Sequence, residues 1–318
     1  MKAMIMAAGV GSRLMPLTAN IPKPMVPVGN IPLMERIVKL LKEHGFYEII
    51  CNLHYHPDII YNHFGDGKKY GVTMQYSLEN QLMGTAGGVK KCQWFLDDTF
   101  VVISGDILTD INLERLLKTH LQKGALATIA LKEVEQVEQF GVVITNEKGR
   151  IINFQEKPSL GEALSHNANT GIYVFEPEIF KYIPDQEFHD FGKQVFPYLV
   201  KIGAPFYGTT VKEYWCDVGN ISTYCQAHSD ILQQQVKIDI VGEIFETLDG
   251  SSRILMGEET SIGKNVRFAG DVVIGSGCWI GDNTYISNSI IWDNNLIKEK
   301  SIFEKTIIGY DGVAVRGS

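Results

Sequence analysis

In the last part of this 318-residue chain, Met256, Ile262, Phe268, Ile274, Ile280, Ile286 and Trp292 recur every six residues. Gly257, Gly263, Ala269, Gly275, Gly281 and Ser287 directly follow the first six. Ile254, Thr260, Val266, Val272, Cys278, Thr284 and Ile290 stand two residues before each of the seven. Helices and ordinary strands repeat at 3.6 and 2 residues, so neither explains a period of six. A parallel β-helix does: three hexads complete a triangular coil, each aliphatic points to the axis, and small residues fit the corners. The spacing predicts three or four coils within 236–318, with Ile297, Ile302 and Ile308 closing the last. No amphipathic helix follows to cap that coil, so its open end is expected to pack on the rest of the chain or on a second copy.

Residues 1–235 have a different texture. Short β-branched runs (Lys2–Ala7, Glu48–Leu53, Val72–Ser77, Thr99–Ser104, Leu126–Leu131, Val142–Thr145, Ile151–Gln155, Gly171–Phe175 and Phe206–Val211) alternate with helical patterns. Leu33, Ile37, Leu40 and Leu41 lie between Pro32, placed to start a helix, and Gly45, placed to stop it. Leu113, Leu116, Leu117 and Leu121 give a second helical stripe. Such alternation predicts an α/β domain over 1–235, Rossmann-like with a mostly parallel sheet. A short left-handed parallel β-helix over 236–318 is expected to follow it.

Charge and cysteine content narrow the partners. A net charge of −8 lacks the basic footprint that duplex nucleic acid requires, while leaving room for a local anion pocket. The five cysteines, Cys51, Cys92, Cys216, Cys225 and Cys278, form no C-x-x-C pair and read as reduced thiols. No apolar run is long enough to span a membrane. A cytoplasmic protein without membrane or nucleic-acid partners is expected.

The chemistry concentrates in the first thirty residues. Ala7-Ala8-Gly9-Val10-Gly11-Ser12-Arg13-Leu14 ends a strand in small residues, which lets backbone N–H groups approach a phosphate. Arg13 and Lys23 add two cations that a folded loop can bring onto one triphosphate, and Pro22 and Pro24 fix the backbone of Lys23. The dinucleotide fingerprint fails at Arg13 and Leu14, and no P-loop is present. Val101–Asp106 is a buried run ending in a carboxylate, where open parallel sheets place ligands. A triphosphate needs magnesium, magnesium needs carboxylate oxygen, and Asp217 after Tyr214-Trp215 is the natural second donor. Asp110 suits either a ligand-orienting role or a turn. Glu79 suits either a base amine or a loop. His54 and His56 have no third ligand at suitable spacing and read as structural.

This segment resembles the signature of the sugar-1-phosphate nucleotidylyltransferases, roughly L-A-G-G-x-G-[ST]-R-L-x-P-L-T followed by P-K-P, with Ala8 where the family often has glycine. Supporting words are Met83–Gly88, Phe140–Val143, Phe154–Pro158, Asn169–Tyr173 and Tyr214–Gly219, and the hexapeptide tail resembles that of several branches. The resemblance implies transfer of a nucleoside monophosphate from a triphosphate to a sugar 1-phosphate, with pyrophosphate released and Mg2+ shared by Asp106 and Asp217. It implies Arg13 and Lys23 as further catalytic residues. Ala7, Ala8, Gly9, Gly11, Ser12, Arg13, Lys23, Glu79, Gly84 and Thr85 would bind nucleotide. Gly141, Glu156, Lys157, Asn169 and Gly171 would bind the sugar phosphate. The mannose-1-phosphate guanylyltransferase branch is the nearest in pattern, which implies GTP with mannose 1-phosphate. Glucose 1-phosphate with uridine, thymidine or adenosine triphosphate is the alternative, and self-association of the chain is expected. A scaffold relative need not keep the four charged residues, all present here, and an acyltransferase tail would need a histidine that 236–318 lacks.

Overall fold

A computed structural model describes residues 1–247 and 250–317. It divides into two compact units that interleave along the chain. One comprises Met1–Gly9, Ile37–Gly105 and Ile111–Trp215; the other comprises Val10–Arg36, Asp106–Asp110 and Cys216–Ser318. The signature loop and the end of the Asp106 strand therefore cluster with the hexapeptide region.

The first unit is built on nine strands: β1 Lys2–Met6, β2 Glu48–Leu53, β3 Thr73–Leu78, β4 Phe100–Ser104, β5 Ala127–Glu133, β6 Gly141–Thr145, β7 Ile151–Glu156, β8 Asn167–Phe175 and β9 Phe206–Thr210. Strands 3-2-1-4 run parallel. Beyond them β8 pairs antiparallel with β4, β5 and β6, and β7 with β6, while β9 returns parallel to β5. The parallel strands are nearly continuous apolar runs, as burial on both faces demands. In β4, Phe100 to Ile103 are fully buried. Phe100, Phe175, Phe191, Phe196 and Phe206 stack along one face, each burying a side chain that contributes roughly 2 kcal/mol.

Helix α1 (Leu33–Glu43) starts and stops where Pro32 and Gly45 require, and Gly45 sits at φ 81°. Three further helices follow: α2 (Pro57–Phe64), α3 (Gly84–Lys91) and α4 (Leu113–Lys123). The buried stripe of α4 differs from the leucine pattern. Leu121 is exposed, and His120 is buried in its place. Its ring bonds Thr128 Oγ1 at 2.8 Å and Glu176 Oε1 at 3.1 Å, so a polar residue with both nitrogens partnered displaces an apolar one. Helix α5 spans Phe196–Lys201 and α6 spans Ile221–Leu232.

In the second unit the hexads form a parallel β-helix with three sheet faces. Ile254, Val272, Ile274, Cys278, Ile280, Ile286, Ile291, Ile297 and Ile308 make its axis. Two sequence expectations are corrected here. Met256 pairs with Ile274 at eighteen residues, but Ile274 pairs with Ile291 at seventeen. The coil is one residue short, so Ile291 takes the axial place expected of Trp292. Trp292 remains buried and donates from Nε1 to Tyr224 on α6 at 2.8 Å. The same shift puts Phe303 in register with Ile286 and leaves Ile302 70% exposed. Nor is the last coil wholly open: strand Ala314–Arg316 pairs antiparallel with Thr306–Ile308, and Glu243–Glu246 does the same at the first coil. A reversed strand blocks further parallel stacking on that face.

Side chains from the signature segment tie into this region. Asn30 Nδ2 donates to Val241 and Ile274 carbonyls at 3.0 and 2.9 Å, and Arg36 donates to the Val28 and Asp239 carbonyls. Tyr224 Oη donates to Pro27 O at 2.7 Å. Beside Tyr224, His228 is 3% exposed with neither ring nitrogen hydrogen-bonded. Burial pushes its pKa down to about 3, with Arg36 adding to the shift and the Pro27 carbonyl opposing it. An unfolded histidine protonates near pH 6.5, so folding loses stability as pH falls below that value and levels off near the folded pKa. At pH 5 the loss from this residue is about 2 kcal/mol. Urea unfolding at pH 7 and pH 5 should show that extra loss in the wild type and not in His228→Gln; equal losses in both would contradict it.

Candidate active site

The first cluster lies in the second unit. After Gly11, in the left-handed region at φ 70°, a 3-10 turn over Ser12–Leu14 presents Arg13. Thr18 Oγ1 donates to Gly11 O at 2.9 Å and closes the loop. A Cβ on Gly11 would stand 2.8 Å from the Cβ of Lys23, so only glycine lets the two segments approach at this backbone angle. Pro22 and Pro24 flank Lys23, whose side chain is 8% exposed. Its ammonium contacts Asp106 Oδ2 and lies 3.5 Å from Asp217 Oδ1. The Val218 N–H donates to Asp106 O at 3.1 Å, which holds the two acidic segments side by side. A Cβ on Gly219 would meet both Asp217 Oδ2 at 3.2 Å and an Arg13 guanidinium nitrogen at 3.3 Å. Four predicted residues far apart in sequence thus share one cluster.

Burial raises the pKa of Asp217, and the neighbouring Asp106 charge raises it further against the pull of Lys23 and Arg13. Two hard oxygen donors crowded round one cation suit a divalent ion, which would relieve that repulsion. Among the described residues no group of three His, Cys, Asp or Glu side chains gathers at one point. Asp110 Oδ2 accepts from the Lys237 N–H at 3.0 Å, a structural bond.

The second set lies in the first unit, at the carboxyl ends of its parallel strands. Asn52 Oδ1 accepts from Ala7 N at 2.9 Å, and Asn52 Nδ2 donates to Glu79 Oε1 at 2.7 Å. Glu79 Oε2 in turn accepts from Met83 N at 3.0 Å. Glu79 is therefore 2% exposed and engaged at both oxygens, lacing β1, β2 and β3 to the start of α3. His54 bonds the Glu79 carbonyl at 2.8 Å, and His56 precedes α2 as its N-cap. Ala8 is buried, while a Cβ on Gly9 would meet nothing within 4 Å.

Gly84, at φ 73°, opens α3 against the segment before α5: an added Cβ would stand 2.4 Å from His189 O. Thr85 Oγ1 donates to Asp190 Oδ2 and accepts from Phe191 N, both at 2.9 Å. Asp190 also faces Glu156, whose carboxyl is held above its usual range by burial first and by the Asp190 charge second. Lys157 and Lys193 pull the other way. Gly141 pairs with Glu156 across β6 and β7, and an added Cβ at Gly192 would lie 2.4 Å from Glu156 Oε2. Lys157 follows at φ 49°. Asn169 Nδ2 donates to Tyr173 Oη at 3.0 Å beside the bulge at Gly171, and Trp215 Nε1 donates to Thr170 O at 2.9 Å. Sequence reasoning missed Asn52, Tyr173's hydroxyl and Asp190. Asp190 precedes a π-turn (Phe191–Val195) that no periodicity announces, and only its pairing with Thr85 marks it.

Residues 2–234 match the nucleotidyl transferase family, and residues 251–314 match the GMPPB C-terminal domain. The chain belongs to the nucleotidyl transferase family. It is 37% identical to a UTP–glucose-1-phosphate uridylyltransferase of Synechocystis, over 99% of this chain and 90% of that one. It is 28% identical to the mannose-1-phosphate guanylyltransferase of Mycobacterium tuberculosis, over 95% and 83%. A Bacillus anthracis structure classed as a glucose-1-phosphate thymidylyltransferase superposes with a TM-score of 0.66 at 27% identity, covering 75% of this chain and 96% of that one. The protein is thus an enzyme of the sugar-1-phosphate nucleotidyltransferase class.

Glycine serves packing at one position and leaves space at another. Gly84→Ala should cost about 2–4 kcal/mol in urea unfolding, through a left-handed residue and a backbone clash. Gly9→Ala should stay within about 0.5 kcal/mol of wild type. Equal costs at both positions would contradict this division.

Proposed function

We propose that the protein makes a nucleoside-diphosphate hexose, with the phosphates handled by the Arg13, Lys23, Asp106 and Asp217 cluster. A sugar 1-phosphate oxygen attacks the α-phosphorus, a new P–O bond forms, and the α–β bond breaks with its electron pair leaving on pyrophosphate. The attacking oxygen is already ionised near neutral pH, so no general base is needed. Both reactants are anions, and the main task is to hold them together and neutralise charge as it shifts. Arg13 and Lys23 stabilise the α-phosphate and the departing pyrophosphate. Mg2+, when bound, supplies further neutralisation, and Asp106 and Asp217 are the residues that would hold it. The pairing of Lys23 with Asp106 and Asp217 supports this reading, because it gathers a cation and two oxygen donors at one point.

For the hexose, Glu156 and Asp190 are paired acceptors for hydroxyls, with Asn169 beside them and Gly141, Gly171 and Gly192 leaving room. Lys157 would take the sugar phosphate. The nucleotide would lie on Ala7, Ala8, Gly9, Gly11, Ser12, Gly84 and Thr85, with Glu79 shaping the loop through its bonds to Asn52 and Met83. GTP with mannose 1-phosphate is supported by the C-terminal domain match and by guanylyltransferase relatives over 95–98% of the chain. A second pair, UTP with glucose 1-phosphate, is favoured by the 37% identical uridylyltransferase. The expectations of a cytoplasmic setting and of self-association belong to the same reading.

Lys23→Ala or Asp106→Ala should lower turnover about a hundredfold or more while near-UV circular dichroism stays native. Wild-type rates in either would refute the roles. Pyrophosphate release with Mg2+, measured for five nucleoside triphosphates against mannose and glucose 1-phosphates, should single out one pair. GTP with mannose 1-phosphate upholds the first reading, and UTP with glucose 1-phosphate upholds the second. Silence across the grid from folded protein would overturn both.

A further inference from the structure

A chain of buried hydrogen bonds crosses the second unit. Trp292 Nε1 donates to Tyr224 Oη at 2.8 Å, and the same oxygen donates to the Pro27 carbonyl at 2.7 Å. Tyr224 is completely buried and Trp292 nearly so. Phenylalanine would fill the space equally well, and a buried phenol is costly unless its hydroxyl is partnered. Here the hydroxyl accepts once and donates once, which fixes its direction. Burial also pushes the phenol pKa well above its ordinary value, so the proton stays in place to be donated.

Both neighbours of this hydroxyl lead to the proposed phosphate cluster. Pro27 follows Lys23 across one 3-10 turn, in which Met25 N donates to Pro22 O at 2.8 Å and Val26 N to Lys23 O at 3.1 Å. Pro22, Pro24 and Pro27 each fix a backbone angle of that short segment. A shift at Pro27 is therefore passed on to Lys23 instead of being absorbed by rotation. Tyr224 lies in the first turn of α6, its N–H donating to Asn220 O at 2.9 Å. Asn220 caps that helix, its Oδ1 accepting from Thr223 N at 3.0 Å, and Gly219 N donates to Thr223 Oγ1 at 3.0 Å. The start of α6 and the Asp217 segment thus move together, and the Tyr224 hydroxyl bonds the Asp217 side of the cluster to the Lys23 side. Trp292 also reaches the earlier part of the signature: a Cβ on Gly309 would stand 3.3 Å from Leu17 Cδ2 and 3.6 Å from the Trp292 ring.

We infer, on the proposed role of Lys23 in phosphate chemistry, that Tyr224, held by Trp292, is a positioning residue for Lys23, and that the hexapeptide region contributes to turnover through this pair. The hydroxyl is sealed from solvent and acts only through the loop. It sets where the ammonium stands, and rate depends steeply on such placement.

Tyr224→Phe removes one oxygen and keeps the ring. It should lower kcat about tenfold at saturating substrates, with the KM for sugar 1-phosphate within about twofold of wild type. In a Lys23→Ala background the same substitution should change kcat by less than about twofold, because an effect exerted through Lys23 vanishes with that side chain. A merely structural role would lower kcat by one factor in both backgrounds. Ile280→Val, which removes a buried methylene from the axis of the β-helix, is the stability control and should keep wild-type kcat. Trp292→Phe takes away the donor to Tyr224 and should show the same dependence on Lys23, which keeps the test open if Tyr224→Phe does not fold. Wild-type kcat in the folded variants, or an equal loss with and without Lys23, would overturn the inference and leave the role of Lys23 standing. Wild-type turnover in Lys23→Ala would overturn that role, and this inference with it.

Discussion

The arrangement depends on one ammonium group between two carboxylates. Lys23 bridges Asp106 and Asp217, residues that end separate stretches of chain and would repel one another without a cation. Burial makes charge costly at Asp217, and lysine compensates only part of it. That residual repulsion is useful. A site poised in this way gains more from a divalent ion and a triphosphate than a solvated surface pair would. The surrounding features, from the prolines beside Lys23 to the Gly11 approach and the Val218–Asp106 bond, keep the three side chains together.

The hexapeptide region shares a compact unit with this cluster. Asn30, Arg36 and Tyr224 fasten the signature segment to residues 239–241, to the coil at Ile274 and, through Trp292, to the next coil of the β-helix. The short coil has a physical consequence here. By losing one residue it turns Trp292 out of the axis and makes its indole available to Tyr224, whose hydroxyl then donates to Pro27. A strict eighteen-residue repeat would have left that hydrogen-bond chain unmade. The β-helix thus serves as a buttress for the loop that carries Lys23.

Much of this was legible from residue patterns alone. Strand Glu48–Leu53 and helix Leu33–Glu43 fall where apolar runs, Pro32 and Gly45 predict, because local propensity and burial agree there. The hexad period identifies the β-helix for the same reason. Less legible were features decided by tertiary contact. α3 is rich in glycine, a poor helix former, yet it is helical, and Gly84, Gly87 and Gly88 admit the His189 and Glu187 carbonyls and the Glu79 side chain. His120 displaces Leu121 from the buried face because Thr128 and Glu176 receive its ring. Asp190 gains its place from Thr85, 105 residues away, which no spacing rule connects.

The central claim is that Asp106 and Asp217 jointly hold the metal that accompanies the triphosphate, and Mn2+ reports on it directly. Electron paramagnetic resonance of the wild-type enzyme with Mn2+ and a non-hydrolysable triphosphate should show one tightly held ion per chain. The double variant Asp106→Asn/Asp217→Asn should lose that signal while keeping its circular dichroism. Undiminished Mn2+ binding by the folded double variant would contradict the account.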